Sequence, residues 1–157
     1  MKEGRGTVKP VYIVACLVAF ADQLTKYWVR TNFAVGEVRP VAPGFFNMTF
    51  IRNDGAAFGV LRGNNLFFIV LSLVAVGVIL ALGGRYRGST PAVKAGVGLI
   101  LGGAVGNLID RFLHGHVIDF LDLYAGRYHW PAFNIADSSI CVGVALLVLF
   151  SMRGRAR

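Results

Sequence analysis

Asp22 and Lys26 stand four residues apart, and Asn107, Asp110 and Arg111 lie within five positions of one another. Asn134 precedes Asp137 by three, and Asp119 lies between the last two groups. Spacings of three and four put side chains on one helix face, so each pair is set to act together. Three kinds of hydrolytic chemistry are conceivable. A serine triad requires a nucleophile, a base and an orienting group. Ser138, Ser139 and the histidines at 114, 116 and 129 supply the residue types, but no nucleophile-elbow sequence surrounds the serines. A metal site has only His114-x-His116 with an aspartate, and no H-E-x-x-H helix. The remaining chemistry is a pair of aspartates. Two neighbouring carboxylates cannot both ionise cheaply, so they share one proton. The ionised member takes a proton from water, which attacks a peptide carbonyl, while the protonated member donates to the carbonyl oxygen. Composition alone does not single out the pair. Asp119 and Asp137 are best placed, one in a loop and one at a helix start, where the helix dipole favours charge on Asp137.

Such groups need elements to position them, and here the elements are apolar. Of 157 residues, 55% are hydrophobic and 15% charged, against about 25% charged in ordinary soluble domains. That deficit excludes a disordered chain and a typical soluble domain. Apolar runs over about 11–28, 66–82, 94–113 and 133–152 are near the length of a membrane span. The expected fold is an all-α membrane protein: four transmembrane helices in a single domain over 1–157. No internal repeat or low-complexity stretch interrupts it. The basic N-terminus followed by Ala19-Phe20-Ala21 imitates a cleavable signal peptide, and Ile13-Val14-Ala15-Cys16 imitates a lipobox. Three later spans favour an uncleaved first helix. Cys16 and Cys141 both fall in apolar runs and read as small buried hydrophobes.

The formal charge of +8 would suggest nucleic acid in a soluble protein, but the positive-inside rule explains it more simply, and no nucleic-acid partner is expected. Nine basic residues crowd the N-terminal tail, the 83–94 turn and the C-terminal tail, and seven lie on the other side, Lys26, Arg111 and five spread over the longer loops at 29–65 and 114–132. Both termini are then cytoplasmic, and both long loops lie outside. With this orientation Asp22 and Lys26, the Asn107–Arg111 group, Asp119, and the Asn134–Asp137 pair converge near the outer interface, where ionisable groups are costly and mark functional sites. Each has a plainer reading. Asn134 and Asp137 have the spacing of a capping box. Asp22 with Lys26, and Asp110 with Arg111, could be structural ion pairs. Asp119 and Asp122 could be solvated loop carboxylates. Gly98, Gly102 and Gly106 make a small-residue stripe for helix packing. In the first long loop, 45–51 reads as a strand, 53–55 as a turn and 56–60 as a returning strand, a small β-hairpin or sheet element outside the membrane.

Five blocks, in order, resemble those of the bacterial lipoprotein signal peptidases (type II signal peptidases). They are Asp22-Gln23-Leu24-Thr25-Lys26; Asn53-Asp54-Gly55-Ala56-Ala57-Phe58-Gly59; Gly102-Gly103-Ala104-Val105-Gly106-Asn107-Leu108-Ile109-Asp110-Arg111; Gly115-His116-Val117-Ile118-Asp119-Phe120; and Trp130-Pro131-Ala132-Phe133-Asn134-Ile135-Ala136-Asp137. The resemblance covers nearly the whole chain. It implies an aspartic endopeptidase of the bacterial cytoplasmic membrane whose catalytic aspartates match Asp119 and Asp137. The implied substrate is a prolipoprotein whose lipobox cysteine already carries diacylglyceryl, cut just before that cysteine. The implied partners are that substrate and membrane lipids, with the chain acting as a monomer and with no metal or cofactor. Supporting roles fall to Asp22, Lys26, Asn53, Gly55, Asn107, Asp110, Arg111 and Asn134. The amides orient substrate or carboxylates, Asp22 and Lys26 fix the first helix, and Arg111 pairs with Asp110 to brace the third helix or reaches a lipid ester carbonyl.

The competing class is a non-enzymatic membrane protein. A transporter places its polar groups at mid-membrane, often on broken helices. Here they gather toward one end, and the second apolar run has no charge.

Overall fold

The computed structural model describes residues 6–55, 61 and 63–155. Four helices carry the chain: α1 (Lys9–Asn32), α2 (Asn65–Ala81), α3 (Pro91–His114) and α4 (Ile135–Arg155). Each expected apolar run is found as a helix, extended by a turn or less at most ends. Local sequence sets the ends. Pro10 occupies the first turn of α1, where its missing N–H costs nothing. Thr90 caps α3 by accepting from the Val93 amide, Pro91 follows it, and Gly115 ends the helix at φ 74°, a left-handed conformation that suits glycine.

By length and composition, α3 and the Ile135–Met152 stretch of α4 can cross a bilayer, and α2 is a 17-residue apolar helix. Burial is inverted relative to a soluble protein. α2 has no buried residue, and Phe20, Tyr27, Leu66, Val74 and Leu149 are all more than half exposed. Asp22, Lys26, Asp110, Asp119 and Asn134 are instead almost completely enclosed. An apolar exterior around charged residues suits hydrocarbon as the surrounding medium.

α3 is the central helix and packs on the other three. The small-residue stripe makes this possible. A Cβ on Gly102 would stand 2.6 Å from the Ala15 carbonyl oxygen of α1, and one on Gly106 would stand 2.5 Å from an Asp22 carboxylate oxygen. Val11 and Ala15 of α1 meet Val97 and Leu101 of α3 in one apolar cluster.

The segments between helices build a four-stranded antiparallel sheet in the order β1 (Val38–Ala42), β2 (Phe46–Asn53), β3 (Val117–Ala125) and β4 (Tyr128–His129). The strand expected at 45–51 is β2, but it is no simple hairpin arm. β1 pairs with one edge and β3 with the other, in a register that sets Ile51 opposite Asp119 and Asn53 opposite Val117. The returning strand expected at 56–60 lies outside the described residues. The 114–132 segment, read as a loop, holds β3 and β4. Asp119 therefore sits on a strand. Phe133 bonds to the backbone of Phe120 and Leu121, which draws the start of α4 against β3. Val29 of α1 and Phe33 just past its end close over Phe50, Ile118 and Phe120 of the sheet.

Candidate active site

Asp119 and Asp137 line one cavity of 560 Å³. Its other walls are largely apolar, with Phe68 and Leu71 from α2, Leu123 from β3, and Trp130 and Phe133 from the approach to α4. Asn53, Asn107 and Arg111 supply polar groups to the same space. An apolar cavity with a few convergent polar side chains is the usual form of a binding site.

Three asparagines hold the two carboxylates. Asn53 and Asn134 donate from Nδ2 to the two oxygens of Asp119, each at 2.8 Å. Asn107 donates from Nδ2 to Asp137 at 2.8 Å. In each case the amide oxygen is engaged by a donor, which fixes which end of the amide faces the carboxylate. Asn53 Oδ1 accepts from the Gly55 amide at 3.0 Å. Asn107 Oδ1 accepts from Lys26 Nζ at 3.0 Å. Asn134 Oδ1 accepts from the Asp137 amide at 2.9 Å, and Asp137 Oδ2 accepts from the Asn134 amide at 3.3 Å. That reciprocal pair is the capping box anticipated for these residues. Capping does not exhaust Asn134, because its amide also reaches Asp119. One residue thus ties the start of α4 to β3 and links the two aspartates.

Burial, and after it the negative charge of Asp137, raises the Asp119 carboxyl to about 7. At neutral pH Asp119 is divided between its acid and its carboxylate. Each oxygen accepts one amide N–H, which leaves room on either for a proton.

Behind this layer lies an ion cluster. Lys26 pairs with Asp22 at 2.8 Å and with Asp110 at 3.0 Å. Asp22 also accepts from the Ala136 amide at 2.9 Å, and Asp110 from the Ile118 amide at 3.0 Å. α1, α3, α4 and β3 therefore meet at one buried cation. Gln23 donates to the Gly106 carbonyl and to Asp110 at 3.1 and 3.0 Å. Its position beside Asp22 within a motif block was its only sequence signal.

Several expectations are corrected. Arg111 does not pair with Asp110 to brace the third helix, since successive helical residues point apart. It donates to the Gly55 carbonyl oxygen at 3.0 Å and to Asn65 at 3.4 Å, and its guanidinium lies over the Phe68 ring. Gly55 thus contributes its backbone. Asp122 is not solvated: it is buried, accepting from Asn47 at 2.8 Å and facing His129 Nδ1 at 2.8 Å. Cys16 and Cys141 are exposed rather than buried, and Cys141 borders the cavity. Ser138 and Ser139 return their hydroxyls to the Asn134 and Ile135 carbonyls at 2.8 Å, an ordinary helical bond, so neither is paired with a base. Among the described residues no cluster of three His, Cys, Asp or Glu side chains could hold a metal ion.

Residues 14–153 match the family described as signal peptidase (SPase) II. The lipoprotein signal peptidase of Syntrophus aciditrophicus is 51% identical over 142 residues, covering 87% of this chain and 88% of that protein. That of Geobacter metallireducens is 45% identical over 157 residues, covering 96% and 97%. Among solved structures, a bacterial membrane enzyme determined by the in meso method at 2.3 Å superposes with a TM-score of 0.87 at 33% identity, covering 95% of this chain and 91% of the other. A second, at 1.9 Å, gives 0.81 at 33% identity, covering 92% and 94%.

Proposed function

The chain belongs to the signal peptidase II family, and from that membership we propose that Asp119 and Asp137 are its acid–base pair. It is a membrane enzyme of the aspartic peptidase class, a lipoprotein signal peptidase that removes signal peptides from prolipoproteins. The observation that carries the proposed pair is the convergence of two buried aspartates, bridged by Asn134, on one largely apolar cavity.

Asp137, in the first turn of α4, is the ionised member, where the helix dipole favours an anion. Asp119, raised to about 7, is the acid. Water in the cavity gives a proton to Asp137 and adds to the scissile carbonyl carbon as Asp119 protonates the carbonyl oxygen. Collapse breaks the C–N bond. The leaving nitrogen takes the proton from Asp137, and the carbonyl oxygen's proton returns to Asp119. The amides of Asn53, Asn107 and Asn134 hold both carboxyls in place without contributing a charge.

The substrate side follows from the walls. The cavity takes the peptide across its polar floor, and its aromatic and aliphatic walls suit the acyl chains of a diacylglyceryl cysteine, with the cut just before that residue. α2 and α4 both line the cavity while each packs on α3, and lipid chains enter between them. All four helices span the bacterial cytoplasmic membrane, as one peptidase domain over 1–157. Both termini are inside, the sheet and active site face outward, and the working unit is one chain surrounded by lipid.

The test is selectivity with product identity. The purified enzyme receives diacylglyceryl-modified precursor and unmodified precursor in parallel, and products are read by mass. Cleavage only of the lipidated precursor, leaving an N-terminal lipidated cysteine, is expected. Equal cleavage of both, or a cut elsewhere, overturns the substrate assignment.

A further inference from the structure

A second cavity, of 230 Å³, has a lining unlike the first. Arg30, Arg52, His114 and His116 surround it together with Phe50. It shares no lining residue with the cavity of Asp119 and Asp137, and no carboxylate borders it among the described residues. Arg30 Nη1 stands 2.6 Å from His114 Nε2, so a guanidinium is turned onto an imidazole, not onto an acid. Burial, and after it the Arg52 cation, pushes His116 below the usual imidazole range. A plainer reading covers part of this. Arg30 and His114 occupy the last turns of α1 and α3, where helix dipoles favour cations. It does not explain Arg52, which comes from β2, or His116, which follows the helix end. Four basic groups from α1, α3, β2 and a loop are thus gathered around one space.

We infer that this basic pocket binds the phosphate group of an anionic phospholipid. The assignment rests on the reading that α1 and α3 cross the membrane. Their C-terminal ends then lie at its surface, at headgroup depth. Tyr27 and Trp28 just before Arg30, and Phe112 and Leu113 just before His114, are exposed apolar residues. Aromatic residues of this kind favour the membrane interface. Acyl chains against those residues leave the phosphate within reach of the pocket. Two arginines suit the oxygens of a phosphodiester, and basic pockets between membrane helices hold lipid headgroups by this chemistry. Bound phosphate also supplies a negative charge to Arg30, which otherwise faces an imidazole. Arg52 precedes Asn53 and His116 lies three residues before Asp119, so the occupant steadies the strands that carry part of the active site.

The test uses the full-length protein in detergent. Native mass spectrometry follows retention of phosphatidylglycerol, with phosphatidylcholine and inorganic phosphate as the other arms. The parent is expected to retain one phosphatidylglycerol at least fivefold more than phosphatidylcholine, and Arg30→Gln/Arg52→Gln to lose that preference. Millimolar inorganic phosphate is expected not to displace the lipid; full displacement would assign the pocket to free phosphate and overturn the lipid assignment. Unchanged retention in the double variant overturns the site itself. Should that variant unfold, His114→Gln serves instead. Phosphatidylglycerol with a photoreactive headgroup also maps the site on the parent, where labelling is expected on the peptides holding residues 30, 52, 114 and 116. Labelling elsewhere overturns the assignment. Cleavage of the lipidated precursor, measured alongside, separates failure of this pocket from failure of the peptidase reading.

Discussion

Asn53, Asn107 and Asn134 each engage their amide oxygen with a donor and aim their NH2 at an aspartate. Neutral donors suit a pair that must pass a proton, because a cation in direct contact would hold both carboxylates ionised. Asn53 lies at the end of β2, outside the helical core, so Asn53→Ala is expected to fold. It loses one hydrogen bond to a carboxylate, worth about 1.5–3 kcal/mol. Turnover is expected to drop by about 10- to 100-fold, with a melting temperature lowered by several degrees. Unimpaired turnover would remove Asn53 from the site. The Asp119 carboxyl, raised to about 7, sets the pH dependence. As the proposed acid it must be protonated, so kcat/KM is expected to fall as pH rises through about 7, and a rise there would reverse the two roles. Stability follows the same proton. The folded state holds it between about pH 4 and 7 while the unfolded chain releases it, so stability declines as pH rises through that window. Asp119→Asn removes the share of this decline that Asp119 carries, and its melting temperature relative to the parent is expected to increase from pH 5 to pH 8. The capping relation of Asn134 and Asp137 was legible from spacing alone. The burial of Asp122 was not, because its partner Asn47 is 75 positions away.

At the scale of elements, the Asp22–Lys26–Asp110 cluster joins α1 to α3, and its backbone bonds to Ala136 and Ile118 reach α4 and β3. Lys26→Met leaves two buried carboxylates without their cation, a loss of about 3–5 kcal/mol, seen as a melting temperature lowered far more than by Asn53→Ala. It also frees the Asn107 amide to rotate, so any folded fraction is expected to turn over slowly. Gly106→Leu would press on Asp22, and overpacking of this kind costs about 1–3 kcal/mol, measurable in the same melting series. A Gly106→Leu enzyme as stable as the parent would contradict the close packing of α1 on α3. The helices were legible because apolar runs of span length are strong signals. β3 was not: it is buried on both faces over most of its length, so its sequence lacks the alternation of a half-buried strand, and its partner β2 is distant in the chain. Arg111 was misassigned for a related reason, since its contact with Gly55 spans 56 positions.

For the whole molecule, many large apolar side chains of the helices face outward, Asp22, Lys26, Asp110 and Asp119 are enclosed, and the sheet sits at one end of the helices. The proposed orientation, with the sheet outside, rests on the distribution of basic residues in the sequence. In a background lacking Cys16 and Cys141, Tyr128→Cys is expected to react with a membrane-impermeant thiol reagent added to intact cells. Gly88→Cys is expected to react only after permeabilisation, and the opposite pattern would invert the topology. Class, helices and the converging polar groups were all legible in the sequence, because hydrocarbon tolerates few ionisable residues and those present stand out. The second, basic cavity was not, since Arg30, Arg52, His114 and His116 come together only in the fold. The central claim is that this apolar body exists to hold two aspartates around one proton, and the most direct measurement replaces them singly. Asp119→Asn and Asp137→Asn are each purified, checked for parental helicity and cooperative melting, and assayed on diacylglyceryl-modified prolipoprotein. The account predicts that both fold and that neither cuts at a measurable rate. A folded variant of either kind that cleaves at near-parental rate would contradict it.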